Sequence, residues 1–230
     1  MRHLKNLLFV LKIMVGSGIF LPSLNYAQSP ALYKIEYTVI DNKAKERIKD
    51  LPVANKELLL SFIQKQTYSF LINKHKSLYY HSNYSIYRDK DKKVWLKSVY
   101  LNGNHYLVVY DSIPLKWKIT GEQQKIGGFI AYKAIGIYQD DPVTAWFTPE
   151  IPLDGGPELF HGLPGLILAL KWNGRTYTAT KIQSTQEKIM PPPEDTTPIS
   201  DEEFKRRIKQ GGMTIGGENG GMQIIIMKKN

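Results

Sequence analysis

The residues best placed for chemistry are His161 and three carboxylates close to it in sequence, Glu150, Asp154 and Glu158. An imidazole beside a carboxylate is the raw material of general acid–base hydrolysis, because the pair can pass a proton to and from water or a leaving group near neutral pH. A hydrolase built on His161 is therefore the enzymatic alternative, set against an ordinary solvated loop histidine. His75, His81 and His105 stand at spacings that make no metal pair. The chain has no G-x-S-x-G elbow and no glycine loop of phosphate-binding spacing. It has no cysteine, which excludes a thiol nucleophile, disulfide bracing and lipid anchoring through a cysteine. Met213 and Met222 are soft-metal donors by type but sit in a glycine-rich tail. No cofactor, no metal and no catalytic residue is expected on these grounds.

These side chains need a scaffold, and the scaffold reads as β. Tyr33, Ile35, Tyr37 and Val39 alternate with polar residues, the period of a half-buried strand. Runs 93–100 and 106–111 flank Asn102-Gly103, and runs 166–172 and 175–182 flank Asn173-Gly174; both pairs tolerate positive φ and predict tight hairpins. Runs 117–120, 128–138 and 143–148 add further strands, giving a meander. Leu58, Leu59, Phe62 and Ile63 predict a helix over 55–66 behind Asn55. Ser200 and Glu203 stand at capping-box spacing, which predicts a second helix to about Lys209. Tyr79, Tyr80, Tyr84, Tyr87, Trp95, Tyr100, Tyr106 and Tyr110 crowd this half of the chain, suited to cross-strand pairs in a core or to a carbohydrate or lipid groove.

Compartment follows from the first residues. Arg2 and Lys5, an apolar run from Leu7 to Leu21 and a small residue at Ala27 predict a signal peptide over 1–27. The chain is expected to be exported to the periplasm, the outer membrane or the exterior. Net charge is +10, and removal of Arg2, Lys5 and Lys12 with the leader leaves +7. The basic residues are interleaved with acidic ones, a pattern that predicts a solvated surface and weak attraction to anionic head groups rather than nucleic acid binding.

The densest backbone signal is Trp146-Phe147-Thr148-Pro149-Glu150-Ile151-Pro152, then Gly155-Gly156-Pro157, Phe160, and Gly162-Leu163-Pro164-Gly165-Leu166-Ile167. Pro149 and Pro152 remove donors and hold Thr148 and Ile151 extended, so no ladder runs through both. Trp146-Phe147 should end a strand, Gly155-Gly156-Pro157 should turn the chain, and Leu163-Pro164 should form a turn with glycine at positive φ before Leu166-Ile167 re-enters the sheet. The block reads as a corner over one end of the core, or as a binding rim built on that corner.

The hexapeptide Gly162-Leu163-Pro164-Gly165-Leu166-Ile167 resembles the GLPGLI family, secreted proteins of Bacteroidota with no established activity. Trp117 to Glu122, Lys125-Ile126-Gly127-Gly128-Phe129, Tyr132-Lys133-Ala134 and Ala145 to Pro152 follow the family's motif order. Relatives often carry a cysteine near Ala131-Tyr132 that is missing here. The pattern is also similar to lipoprotein-carrier half-barrels, which implies a curved sheet holding an apolar ligand. The expected organisation is a leader over 1–27, a mainly β domain over 28–185 formed by one curved antiparallel sheet or half-barrel with one or two short helices, and a proline-rich linker, helix and glycine-rich tail over 186–230. The expected role is non-enzymatic binding of an apolar ligand or an envelope protein, with docking onto an outer-membrane receptor or transporter as the alternative.

Overall fold

A computed structural model describes residues 32–43, 46, 66–82, 84–101, 104–110, 115–193 and 198–211. The leader, residues 55–65 of the helix expected over 55–66, the Asn102-Gly103 turn and the tail beyond residue 211 lie outside the described residues, and Gln66, the last residue of that expected helix, is instead the first of a strand. Twelve strands form one mainly β sheet: β1 (Tyr33–Asp41), β2 (Gln66–Ile72), β3 (Lys76–His81), β4 (Tyr84–Asp89), β5 (Val94–Leu101), β6 (Asn104–Tyr110), β7 (Lys118–Ile126), β8 (Phe129–Tyr138), β9 (Asp141–Thr148), β10 (Leu166–Trp172), β11 (Arg175–Ser184) and β12 (Pro198–Ser200). A helix, α1 (Asp201–Gly211), follows. The order β12-β6-β5-β4-β3-β2-β1-β11-β10-β9-β8-β7 places two meanders side by side, joined where β1 pairs with β11. Only β12 runs parallel to its neighbour.

Alternation in sequence becomes alternation of faces. Ile35, Tyr37 and Val39 of β1 are buried, and Ile35 stands opposite Phe70 on β2. The predicted Asn173-Gly174 turn holds φ +48° and +76°, the left-handed pair a two-residue hairpin needs. Two similar turns were not anticipated: Gly127-Gly128 at φ +56° and +93°, and Gln139-Asp140 at +51° and +64°. The first of these takes only the opening residue of the run expected as strand over 128–138, which begins at Phe129.

The sheet curls. Nine strand spacings separate β5 from β7, about 43 Å in a flat sheet at ~4.8 Å each. Yet Trp95 of β5 stacks on the His161 ring at 5.1 Å between centroids, and Trp117, just before β7, donates its indole N–H to the His161 carbonyl at 2.7 Å. Both ends of the sheet therefore meet residues of the 149–165 segment, which lies inside the curve as a strap. The mainly β fold expected from sequence, a curved antiparallel sheet or half-barrel, is found as one open twelve-strand sheet that curls around the strap.

Phe160 is the strap's main apolar anchor. It is buried within 5.3 Å of the Tyr138 and Trp172 rings and 6.5 Å of Trp117. At the other end, β12 and α1 close the sheet edge through Val108, Ile199 and Phe204. The Glu203 N–H donates to Ser200 Oγ at 3.1 Å, as the cap spacing predicts, while the Glu203 carboxylate pairs with Arg207 at 2.6 Å. Phe160→Ala should cost about 3–5 kcal/mol in urea denaturation, the usual loss for a buried ring whose site cannot collapse; a change under about 1 kcal/mol would mean the strap is not part of the core.

Candidate functional site

The strap begins where β9 ends at Thr148. Leu153 N–H donates to the Ile151 carbonyl at 2.8 Å, and Gly165 N–H to the Leu163 carbonyl at 2.8 Å. Each is a three-residue turn centred on proline, Pro152 or Pro164, whose ring already holds the φ such a turn needs. The Leu163-Pro164 turn is thus tighter than the four-residue turn expected from sequence. Between these turns the chain passes under the sheet. A Cβ at Gly155 would stand 2.5 Å from Ile72 Cδ1, and one at Gly156 2.7 Å from Ile167 Cβ, so the strap backbone touches β2 on one side and β10 on the other. Gly165 carries φ +154°, and a Cβ there would fall on the Thr148 carbonyl, 2.6 Å from its carbon. Leu166 and Ile167 then donate N–H groups to the carbonyls of Ile151 and Gly155 at 3.0 Å each.

Most of the sequence-predicted block is consequently interior. Phe147, Thr148, Ile151, Gly156, Pro157, Phe160, Leu163, Gly165, Leu166 and Ile167 are buried, and Trp146 is half-buried. Pro149, Glu150, Pro152, Gly162 and Pro164 are exposed. The buried members of the block line the inside of the curve, and the exposed ones lie at the surface.

The three carboxylates near His161 are dispersed, each with its own partner. Glu150 accepts the Ile130 N–H at 2.8 Å. Asp154 pairs with Arg88 at 3.1 Å and accepts the Gly162 N–H at 2.5 Å. Glu158, at φ +55°, accepts hydroxyl hydrogen bonds from Tyr84 and, at 3.2 Å, from Tyr177. Burial and the adjacent Glu158 charge raise both tyrosines far above their ordinary values. The His161 ring has no carboxylate hydrogen bond among the described residues. Burial, with Arg88 nearby, pushes it down to about 4, so it is neutral at pH 7. Burial also takes Lys90 down to about 8, with Arg88 adding to the effect. No group of three or more potential metal ligands exists among the described residues.

A second site lies on strands β3 to β6. Where residues 190–192 cross these strands they leave an open groove of about 360 Å³. Tyr80, Ser85, Ser98, Tyr100, His105 and Met190 are among the residues that line it. Ser98 Oγ is hydrogen-bonded to His105 Nε2, and the Tyr100 and His105 rings stack at 4.8 Å. The tyrosine-rich run was visible in sequence. Which of its members face outward was not, since Tyr79 and Tyr80 are adjacent and only strand register sends Tyr79 to the core and Tyr80 to the groove.

A family model described as a protein of unknown function, Porph_ging, matches residues 137–169, the stretch from the end of β8 through the strap into β10. No curated protein matches the chain. Two solved structures of PNGF-II, in space groups P21 and C2, match 78% of this chain at 18% and 17% identity, with TM-scores of 0.58 and 0.57. The chain spans 33% of each of those structures, about a third of their length. At that identity the likeness concerns the fold, which is β-rich in both.

Two outcomes follow from the strap. Gly165→Ala should lose more than about 4 kcal/mol because backbone blocks the new Cβ, whereas Gly162→Ala, at φ +89° with its Cβ in ordinary contact with the Trp117 ring at 3.7 Å, should lose about 1–2 kcal/mol; equal melting temperatures for the two variants would contradict the geometry. Acid should also unfold the protein through His161. Its folded value of about 4 lies below the ordinary 6.5, so the unfolded chain takes up the proton first and stability falls as pH drops from 6.5 toward 4. His161→Gln should flatten that slope, and an NMR titration should place the ring's midpoint near 4.

Proposed function

We propose that this chain is a non-catalytic binding and accessory protein of the cell envelope, and that the groove on β3 to β6 is its binding face. The observation that carries the reading is the contrast between the two sites. Around His161 the carboxylates of Glu150, Asp154 and Glu158 are each taken by a structural hydrogen bond or ion pair, and among the described residues no carboxylate is hydrogen-bonded to the imidazole. The groove, by contrast, is open and lined by side chains. The expected apolar ligand has its natural place in a half-barrel on the inside of the curve, which the strap fills here. Apolar surface for such a ligand remains in the groove, at Leu78, Tyr100 and Met190. The resemblance to the GLPGLI family supports an exported protein, as does the leader-like start of the chain, and periplasmic, outer-membrane-associated or extracellular placement belongs to the same proposal.

A second reading, docking onto an outer-membrane receptor or transporter, draws on the other end of the sheet. β7 is a terminal strand, and Ile119, Ile130 and Ile137 beside it are 50%, 51% and 71% exposed. Mass spectrometry of small molecules that co-purify with protein taken from its native envelope separates the readings. Binding at the groove predicts a co-purifying molecule that Tyr100→Ala abolishes and Ile137→Lys leaves in place. Loss of envelope association in Ile137→Lys alone, with no small molecule in either protein, favours docking. Ester or amide turnover abolished by His161→Gln would overturn both.

A further inference from the structure

The proposed binding role does not say what the groove takes, and the lining chemistry does. The chain carries a net charge of +10 and 23% charged residues, yet among the described residues no lysine, arginine, aspartate or glutamate lines this groove, and Lys34, which reaches the Tyr80 hydroxyl at its margin, is paired with Glu187. An anionic ligand such as a phosphate ester or fatty acid head would forgo any ion pair there, and a cation would meet no carboxylate. What the groove presents is flat rings interleaved with hydroxyls. Tyr100 and His105 form a stacked pair with Tyr100 38% exposed. Tyr80 stands nearby, and Ser85 and Ser98 lie between the rings on neighbouring strands. The Ser98 oxygen retains lone pairs beyond its bond to His105.

A surface of this kind is complementary to a molecule with apolar faces and a belt of hydroxyls. Pyranose rings have that form: axial C–H groups lie flat on aromatic faces while equatorial hydroxyls reach donors and acceptors at the sides. The groove's form agrees. At about 360 Å³ it falls at the low end of ligand sites, about 300–1,000 Å³, and it is open to solvent, which suits units within a chain. An acyl tail would need an enclosed apolar cavity. Resting on the reading above, we propose that the groove binds a neutral oligosaccharide, with the Tyr100–His105 pair as the stacking platform and Ser85 and Ser98 as hydrogen-bonding flanks.

Calorimetric titration of the full chain with maltohexaose, cellohexaose, xylohexaose, mannohexaose and chitohexaose tests this, with palmitate as the apolar probe. At least one sugar should bind saturably. Tyr100→Ala should weaken it tenfold or more with an unchanged melting temperature, Ser98→Ala should weaken it less, and Tyr100→Trp should restore it. Affinity should hold between about 50 and 500 mM salt, because no charged side chain is among the described residues that line the groove. Palmitate binding that Tyr100→Ala removes, with no sugar bound, would overturn the carbohydrate assignment and leave the binding role standing. Absence of any binding, or sugar binding indifferent to Tyr100 and Ser98, would overturn the groove as a site altogether.

Discussion

The close approach of Gly165 to the Thr148 carbonyl is the constraint on which the rest of this structure depends. The chain leaves β9, runs through the inside of the sheet, and must return beside the strand it left, with no side chain at the crossing. Two prolines set the entry and exit turns, and Gly155 and Gly156 let the backbone lie flat between β2 and β10. A sheet of twelve strands does not close by itself. Here the strap occupies the inside of the curve, and its Phe160 and His161 touch residues from opposite ends of the strand order.

Polar groups on the strap settle its register where apolar contacts alone would let it slide. Arg88 reaches both the carboxylate and the backbone carbonyl of Asp154. Glu158 is held at a positive φ by two tyrosine hydroxyls from β4 and β11. A half-buried carboxylate is tolerable when hydrogen bonds replace its water, and a strained residue persists when its surroundings over-determine it. The same arrangement separates the carboxylates from the His161 ring. Groups that could have been catalytic are spent on positioning the strap, and the imidazole, shielded between Trp95 and the strap, is kept uncharged.

Much of this was legible in the sequence. Period-two alternation located β1, Asn173-Gly174 located the β10–β11 hairpin, and the spacing of Ser200 and Glu203 located the start of α1. The prolines at 149 and 152 marked the end of β9, and the family-like hexapeptide marked a backbone that tolerates little change. Other features depend on contacts remote in sequence. A turn at Gln139-Asp140 carries no glycine or asparagine signal, and the positive φ it needs comes from the strand pairing on either side. Whether the glycine-proline block lies at a rim or inside the curve depends on how far the sheet curls, a property of all twelve strands. The groove depends on which tyrosines face outward and on residues 190–192 crossing strands some ninety positions earlier.

Because the chain has no cysteine, a pair of spin labels can be placed without disturbing native thiols. Lys92→Cys and Lys118→Cys put one label at the start of β5 and one at the start of β7, both at exposed positions. Pulsed electron resonance should return a mean separation below about 30 Å if the sheet curls around its strap, against about 43 Å or more for a flat arrangement of the same strand order. A distance near the larger value would mean that the strap does not gather the two ends of the sheet, and the account built on it would fail.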